Sequence, residues 1–421
     1  MKYILDLISQ HKAGDPVGIY SVCSAHPLVI EASLRHAASC GGKILIEATS
    51  NQVNQDGGYT GMVPHDFCKR VYEIADQVDF SRENILFGGD HLGPNCWQDL
   101  EADEAMEKSK ILIEQYVLAG FRKIHLDCSM SLIGDAVPLS DETVATRAAV
   151  LCQVSEKAWQ KAGGEAPVYI VGTEVPVPGG AQEDLDQLAV TSSDAARMTI
   201  TAHEKAFADV GLSSVWPRVI GLVVQPGVEF DHHKVIDYIP QKAAELSGYI
   251  EKYPNMVYEA HSTDYQTADN LKELVKDHFA ILKVGPGLTY AMREALWALD
   301  AIEKEWLGDQ ASDLKGAVLK TMLDNPVHWQ KYYGEDAGKL KFLMQYSLSD
   351  RIRYYWPEPD VEQALEKLIK NLNNNPPPLA LLSQYLPDQY YAVRSGEIKS
   401  DIKSLLLHKI STILKHYSDA C

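Results

Sequence analysis

Glu47, Asp90, His91, Asp127, Glu174 and His261 each stand where a short apolar run gives out, in the stretches LIEATS, GGDHLG, KIHLDCS, GTEVPV and EAHSTD. An apolar strand gains nothing by ending in a carboxylate. Four carboxylates brought together repel one another unless a cation or a charged substrate sits among them. Neutral imidazoles beside a carboxylate, as in Asp90-His91 with His261, suit a divalent ion such as zinc with one position left open. A carboxylate next to such an ion can move a proton while the ion holds a carbonyl or enediolate oxygen. Small polar residues follow the same runs: Asn51 beyond Glu47, Ser129 beyond Asp127, Ser262 and Thr263 beyond His261, and Gly285 and Gly287 in KVGPGLT. Ser262, Thr263 and the two glycines would offer backbone N–H groups to a phosphate, although the same glycines would serve equally in tight turns. Any one of these residues alone is ordinary packing; their convergence on one face would make a site. His232-His233 reads as a solvated loop, and RIRYYWP at 351–357 as packing or interface.

Convergence requires elements to carry it. Apolar, β-branched runs recur at 17–22, 43–47, 85–91, 123–127, 168–174, 218–225, 255–260 and 280–284. Most are nearly continuous in apolar character, as strands buried on both faces should be. Most gaps hold a helical pattern, such as Phe67, Val71, Ile74 and Ala75 at i, i+4, i+7 and i+8. Eight strands alternating with helices predict an α/β fold, a (β/α)8 TIM barrel over 1–300, with a helical extension over 301–421 packed on it. Ile398, Ile402, Leu405, Leu406, Ile410, Ile413, Leu414 and Tyr417 form one face of its last helix. An open doubly wound sheet is the alternative, but no GxGxxG or GxxxxGK loop follows any strand. In a barrel the chemistry gathers at the C-terminal ends of the strands, where these polar residues fall.

The chain has 421 residues and a formal net charge of −19. That charge repels phosphate backbones and anionic lipid, so nucleic acid and membrane surfaces are not expected partners. No apolar run approaches a membrane span. Asp6 interrupts the first apolar stretch, which reads as an amphipathic helix with Ile4, Leu7 and Ile8 inward rather than a signal peptide. Seven scattered cysteines without a CxxC pair fit a reducing cytoplasm.

CSAHPLV at 23–29, LIEATSNQVNQ at 45–55, GGYTGM at 57–62 and GGDHLGPN at 88–95 resemble one family, as do VVQPGVEFDH, SLSDRIRYYWP and SQYLP. It is the Z-type, non-catalytic subunit of class II D-tagatose-1,6-bisphosphate aldolase, of the GatZ and KbaZ types, with the tail leaning to KbaZ. The resemblance implies an accessory chain that supports the stability and activity of a catalytic Y-type subunit. That enzyme cleaves tagatose 1,6-bisphosphate to two triose phosphates in galactitol or N-acetylgalactosamine breakdown.

The family is similar in turn to the zinc-dependent class II aldolases. By that likeness Asp90 stands as catalytic acid–base, and His91 and His261 as metal ligands. Asp127 and Ser129 match a substrate strand, and Gly285 and Gly287 fall in the phosphate loop. The sequence departs at VVQPGVE, where Gln225 or Glu229 replaces a third zinc histidine, and at Val284 or Gly285 in place of an asparagine. Glu174 would complete a Zn2+ or Mn2+ site with His91 and His261. The same parts would serve a retro-aldol 4-epimerase of ketose phosphates, with Asp90, Glu47 or Asp127 shuttling the proton. A tagatose 6-phosphate kinase finds no nucleotide loop to support it.

Overall fold

The structure, a computed structural model, describes residues 1–172, 188–334 and 337–421. Eight strands close a parallel barrel: β1 (Ile19–Val22), β2 (Ile44–Thr49), β3 (Ile85–Leu92), β4 (Lys123–Leu126), β5 (Val168–Val171), β6 (Val219–Val224), β7 (Val257–Ala260) and β8 (Ile281–Val284). They pair in chain order, and β8 returns to β1 with Ile281 opposite Ile19 and Val284 opposite Val22. Each of the eight runs in the sequence carries one strand. A small ribbon between β6 and β7, Glu229–Phe230 against Val235–Ile236, was not expected from the sequence.

Alternate residues of each strand point inward. Near the strand starts these are Ile19, Leu45, Leu86, Val168, Val257 and Ile281, and they form one apolar cluster. The helix Lys2–Lys12 lays Ile4, Leu7 and Ile8 on that cluster and closes the lower end of the barrel. One layer further up, β2, β4, β7 and β8 turn polar residues inward: Glu47, Lys123, Glu259 and Lys283, all buried. Gly88 makes room for this layer, because a Cβ there would come within 2.5 Å of Glu47 Oε1. The outward residues, such as Ile44, Ile46, Ile124, Tyr258 and Leu282, pack under the helices in a second, larger core.

The helix Pro286–Leu307 follows β8 and runs past residue 300. The chain then folds into short helices, among them Leu314–Asp324, Pro359–Asn374 and Leu379–Tyr385. The final helix, Ile402–Ser418, is capped by Asp401, whose carboxylate accepts from Ser404 N at 3.0 Å. Its buried face packs against Pro27–Cys40 and Pro286–Leu307. Among the described residues no helix is long and apolar enough to cross a membrane.

Candidate functional site at the barrel mouth

The polar layer inside the barrel is an ion network. Lys123 Nζ lies 2.7 Å from Glu47 Oε1 and 2.6 Å from Glu259 Oε2, and all three side chains are fully buried. Lys283 Nζ pairs with Glu47, sits 2.9 Å from Asp90 Oδ1 and 3.8 Å from Glu259 Oε1. The mutual repulsion of carboxylates is therefore offset first by two lysines of the chain itself. Burial alone would raise the Asp90 and Glu259 carboxyls; nearby cationic side chains outweigh it and hold both well below the usual range. Three carboxylates against two ammonium groups leave the layer anionic.

Above it stand three imidazoles. His91, one residue before the end of β3, lies in the left-handed region, with φ of 49°, next to an irregularity in the β3–β4 register. A β-carbon resists that conformation, so surrounding contacts must hold it, as is common at functional sites. The twist turns two successive residues, Asp90 and His91, toward the mouth. His91 Nδ1 bonds Asp127 Oδ2 at 2.6 Å, and Ser129 donates to the other oxygen of Asp127 through Oγ at 2.8 Å and N at 3.2 Å. Burial works against charge on His91, but Asp90 and Asp127 outweigh it and hold the imidazolium above its ordinary pKa. Burial works against the Asp127 carboxylate too, yet its bond to His91 brings it down to about 2.

His125 Nε2 lies 3.0 Å from the Gly172 carbonyl, which fixes the proton there. Its Nδ1 lies 3.2 Å from His91 N and 3.1 Å from Asp90 Oδ1. His261 Nε2 lies 2.9 Å from Glu259 Oε1, and burial depresses this imidazole to about 4, so it is neutral. Donor atoms of Asp90, His125, Glu259 and His261 all fall within 4.8 Å of one another. Two imidazoles and two carboxylates, one imidazole oriented by a backbone carbonyl, fit a divalent cation such as Zn2+ or Mn2+. Lys283 supplies part of the positive charge such an ion would bring.

These groups open into a cavity of about 390 Å3 lined in part by Asp90, His91, His261 and Lys283. Glu47 and Asp127 do not line it; Glu47 meets the lining residues Lys283 and Cys23, and Asp127 meets His91. Asn51 and Ser262 line the wall, the latter with φ of 52°. Thr263 instead donates to the Lys283 carbonyl at 2.5 Å and meets Tyr417 OH at 3.1 Å, tying the last helix to the barrel. The N–H groups of Gly285 and Gly287 already donate to Asp264 Oδ1, at 3.0 and 2.7 Å. Gln225 is taken up by its own loop, its Oε1 accepting from Gly227 N and Val228 N at 2.8 and 3.0 Å. Glu174 lies outside the described residues. His232 is half-buried between Ser347 and the Tyr332 carbonyl, not a solvated loop residue. Sequence reasoning passed over His125, Glu259 and the two lysines. It also assigned to packing the segment that brings Arg353, Tyr354 and Trp356 to the cavity wall.

A family model described as D-tagatose-1,6-bisphosphate aldolase subunit GatZ/KbaZ-like matches residues 4–421. A crystal structure of a probable tagatose 6-phosphate kinase from Sinorhizobium meliloti 1021 is 47% identical, with a TM-score of 0.89 over 96% of this chain and 100% of that one. A fructose-bisphosphate aldolase from Campylobacter jejuni aligns over 88% of this chain and 91% of its own at 13% identity, with a TM-score of 0.42. A likeness that distant carries no functional argument.

Proposed function

The chain belongs to the GatZ/KbaZ-like family of D-tagatose-1,6-bisphosphate aldolase subunits, and from that premise we propose that it is the accessory, Z-type partner of a catalytic Y-type subunit. In this role it maintains the solubility and full activity of that subunit, in a chaperone-like manner, during tagatose 6-phosphate breakdown in the galactitol or N-acetylgalactosamine pathway. The observation that supports it is Gln225. Where a catalytic class II aldolase would place a zinc histidine, this side chain is spent on the amides of Gly227 and Val228. The seven free cysteines fit a cytoplasmic setting. Co-expression tests the role. Soluble Y-subunit and tagatose-bisphosphate cleavage should both fall when this chain is omitted, and an unchanged yield and rate would refute it.

The cavity favours a second reading, a ketose-phosphate 4-epimerase that interconverts fructose 6-phosphate and tagatose 6-phosphate. A purely structural subunit has no use for an open cavity lined by Asp90, His91, His261 and Lys283. His91, once it has given up the proton that Asp90 and Asp127 hold on it, would in its neutral form take the proton of the C4 hydroxyl. The C3–C4 bond breaks and its electrons pass to the C2 carbonyl oxygen, beside which Lys283 brings positive charge. The aldehyde turns, the bond re-forms on its other face, and the proton returns to the C4 oxygen. A divalent cation held by Asp90, His125, Glu259 and His261 would polarise that carbonyl.

The chain alone, incubated with zinc or manganese and fructose 6-phosphate, should yield the C4 epimer by carbon NMR. His91→Ala should abolish this while leaving the accessory role intact. Unchanged spectra from folded, metal-loaded protein would remove the epimerase. The kinase named for the Sinorhizobium protein lacks a supporting GxxxxGK loop in this sequence. ATP added to the same sample would expose it by ADP formation.

A further inference from the structure

In many barrels a substrate phosphate rests on backbone N–H groups of the loops after β7 and β8. Here that arrangement is closed. The amides of Gly285 and Gly287 both donate to Asp264 Oδ1, and the Asp264 carboxylate would itself repel an anion. On the same side of the mouth the C-terminal extension inserts Arg353 into the cavity wall. Its guanidinium is fixed by the chain: Nη1 donates to the carbonyls of Ser349 and Asp350, and Nη2 to Tyr354 OH at 2.9 Å. Among the described residues no carboxylate lies within ion-pair distance of it. Asp350, three residues before it, is spent on Thr289 Oγ1 at 2.5 Å and Arg293 Nε at 3.4 Å. A half-buried guanidinium with no carboxylate at ion-pair distance gains from an anion that joins it. A planar guanidinium is shaped for a phosphate.

We propose that Arg353 is the phosphate anchor of the barrel mouth, replacing the loop amides that Asp264 has taken, and that it makes the site select phosphorylated over unphosphorylated sugars. Arg70, exposed at the rim of the same cavity, adds positive charge at the entrance. The extension beyond the barrel is then part of the substrate site. This inference rests on the reading of the mouth as a sugar-phosphate site.

Ligand-observed NMR on the full chain, with fructose 6-phosphate, fructose and inorganic phosphate, tests it. Wild type should bind the phosphate ester more tightly than fructose and should bind inorganic phosphate. Arg353→Met should weaken fructose 6-phosphate by roughly 10- to 100-fold and abolish phosphate binding, while fructose binds as before. Arg353→Lys, which keeps the charge but not the fork, should fall between. A merely structural role would lower all three ligands together. Equal binding of fructose 6-phosphate by wild type and both variants would overturn the anchor and leave the sugar-phosphate site standing. Loss of fructose in step with the ester would also overturn the anchor. Wild type that binds none of the three would overturn the site itself, and the anchor with it.

Discussion

Replacing Lys123 with methionine removes one of the two ammonium groups inside the barrel while keeping most of the side chain's length. Lys123, Glu47 and Glu259 are each 0% exposed, so water cannot take over the lost contacts. The variant would set Glu47, Asp90 and Glu259 against Lys283 alone. Removing one partner of a buried ion pair costs about 3–5 kcal/mol. Unfolding entropy scales with chain length, so for 421 residues 1 kcal/mol is worth roughly 1 °C. Tm should therefore fall by about 3–5 °C at neutral pH.

The pH dependence gives the sharper test. Burial would raise the Glu259 carboxyl, but Lys123, then Lys283, hold it well below its ordinary 4.5. A carboxylate depressed in the folded state contributes stability above its unfolded pKa and loses it as pH falls. The deficit of K123M should be full above about pH 5 and shrink as the solution is acidified further. The K123M/E259Q double variant should recover more than about 1 kcal/mol, because the two groups touch and their effects do not add. Calorimetric melts across this range decide it. A shift under about 1 °C at neutral pH, or one that grows on acidification, would refute the lysine as counter-ion of the layer.

Three further outcomes follow from the geometry. After dialysis against Zn2+ or Mn2+, His125→Ala and His261→Ala should lose bound metal by elemental analysis while His91→Ala retains it; the reverse pattern would move the ligand set to His91. Burial raises Asp264 from 3.8 to about 6, so it contributes stability below pH 3.8 that is lost as pH rises through 6. That term is worth about 3 kcal/mol, and Asp264→Asn should gain on wild type by about that much between pH 4 and 7 in urea unfolding. Ending the chain after Asp401 exposes the partners of Ile402, Leu405, Leu406, Ile410, Leu414 and Tyr417, each worth about 1.5–3 kcal/mol buried. Such a chain should aggregate on size exclusion, and a monodisperse product with an unchanged melt would refute the helix as part of the core.

The barrel was legible because its signals are local. Continuous aliphatic runs such as VIGLVV fix strands buried on both faces, and 3.6-residue spacing fixes the helices between them. With the fold in hand, the ends of the strands named Asp90, His91 and His261, which line the cavity at the mouth, and Asp127, which backs His91. A finer local signal was present and unread. In KIHLD and YEAH the polar residues alternate with apolar ones, Lys123, His125 and Asp127 on one strand, Glu259 and His261 on another. Alternation is the mark of side chains that face the barrel interior, and it points to His125, Lys123 and Glu259 directly.

What stayed hidden depends on distance along the chain. No spacing rule says that Lys283 closes on Glu47, 236 positions away. None says that Asp264 reaches the Gly285 and Gly287 amides before a phosphate can, or that Arg353 returns from the extension to the mouth. Those pairings arise when the sheet closes and the tail wraps it, because charge and hydrogen-bond complementarity act through space, and only the closed barrel decides which groups are left unpaired for a ligand.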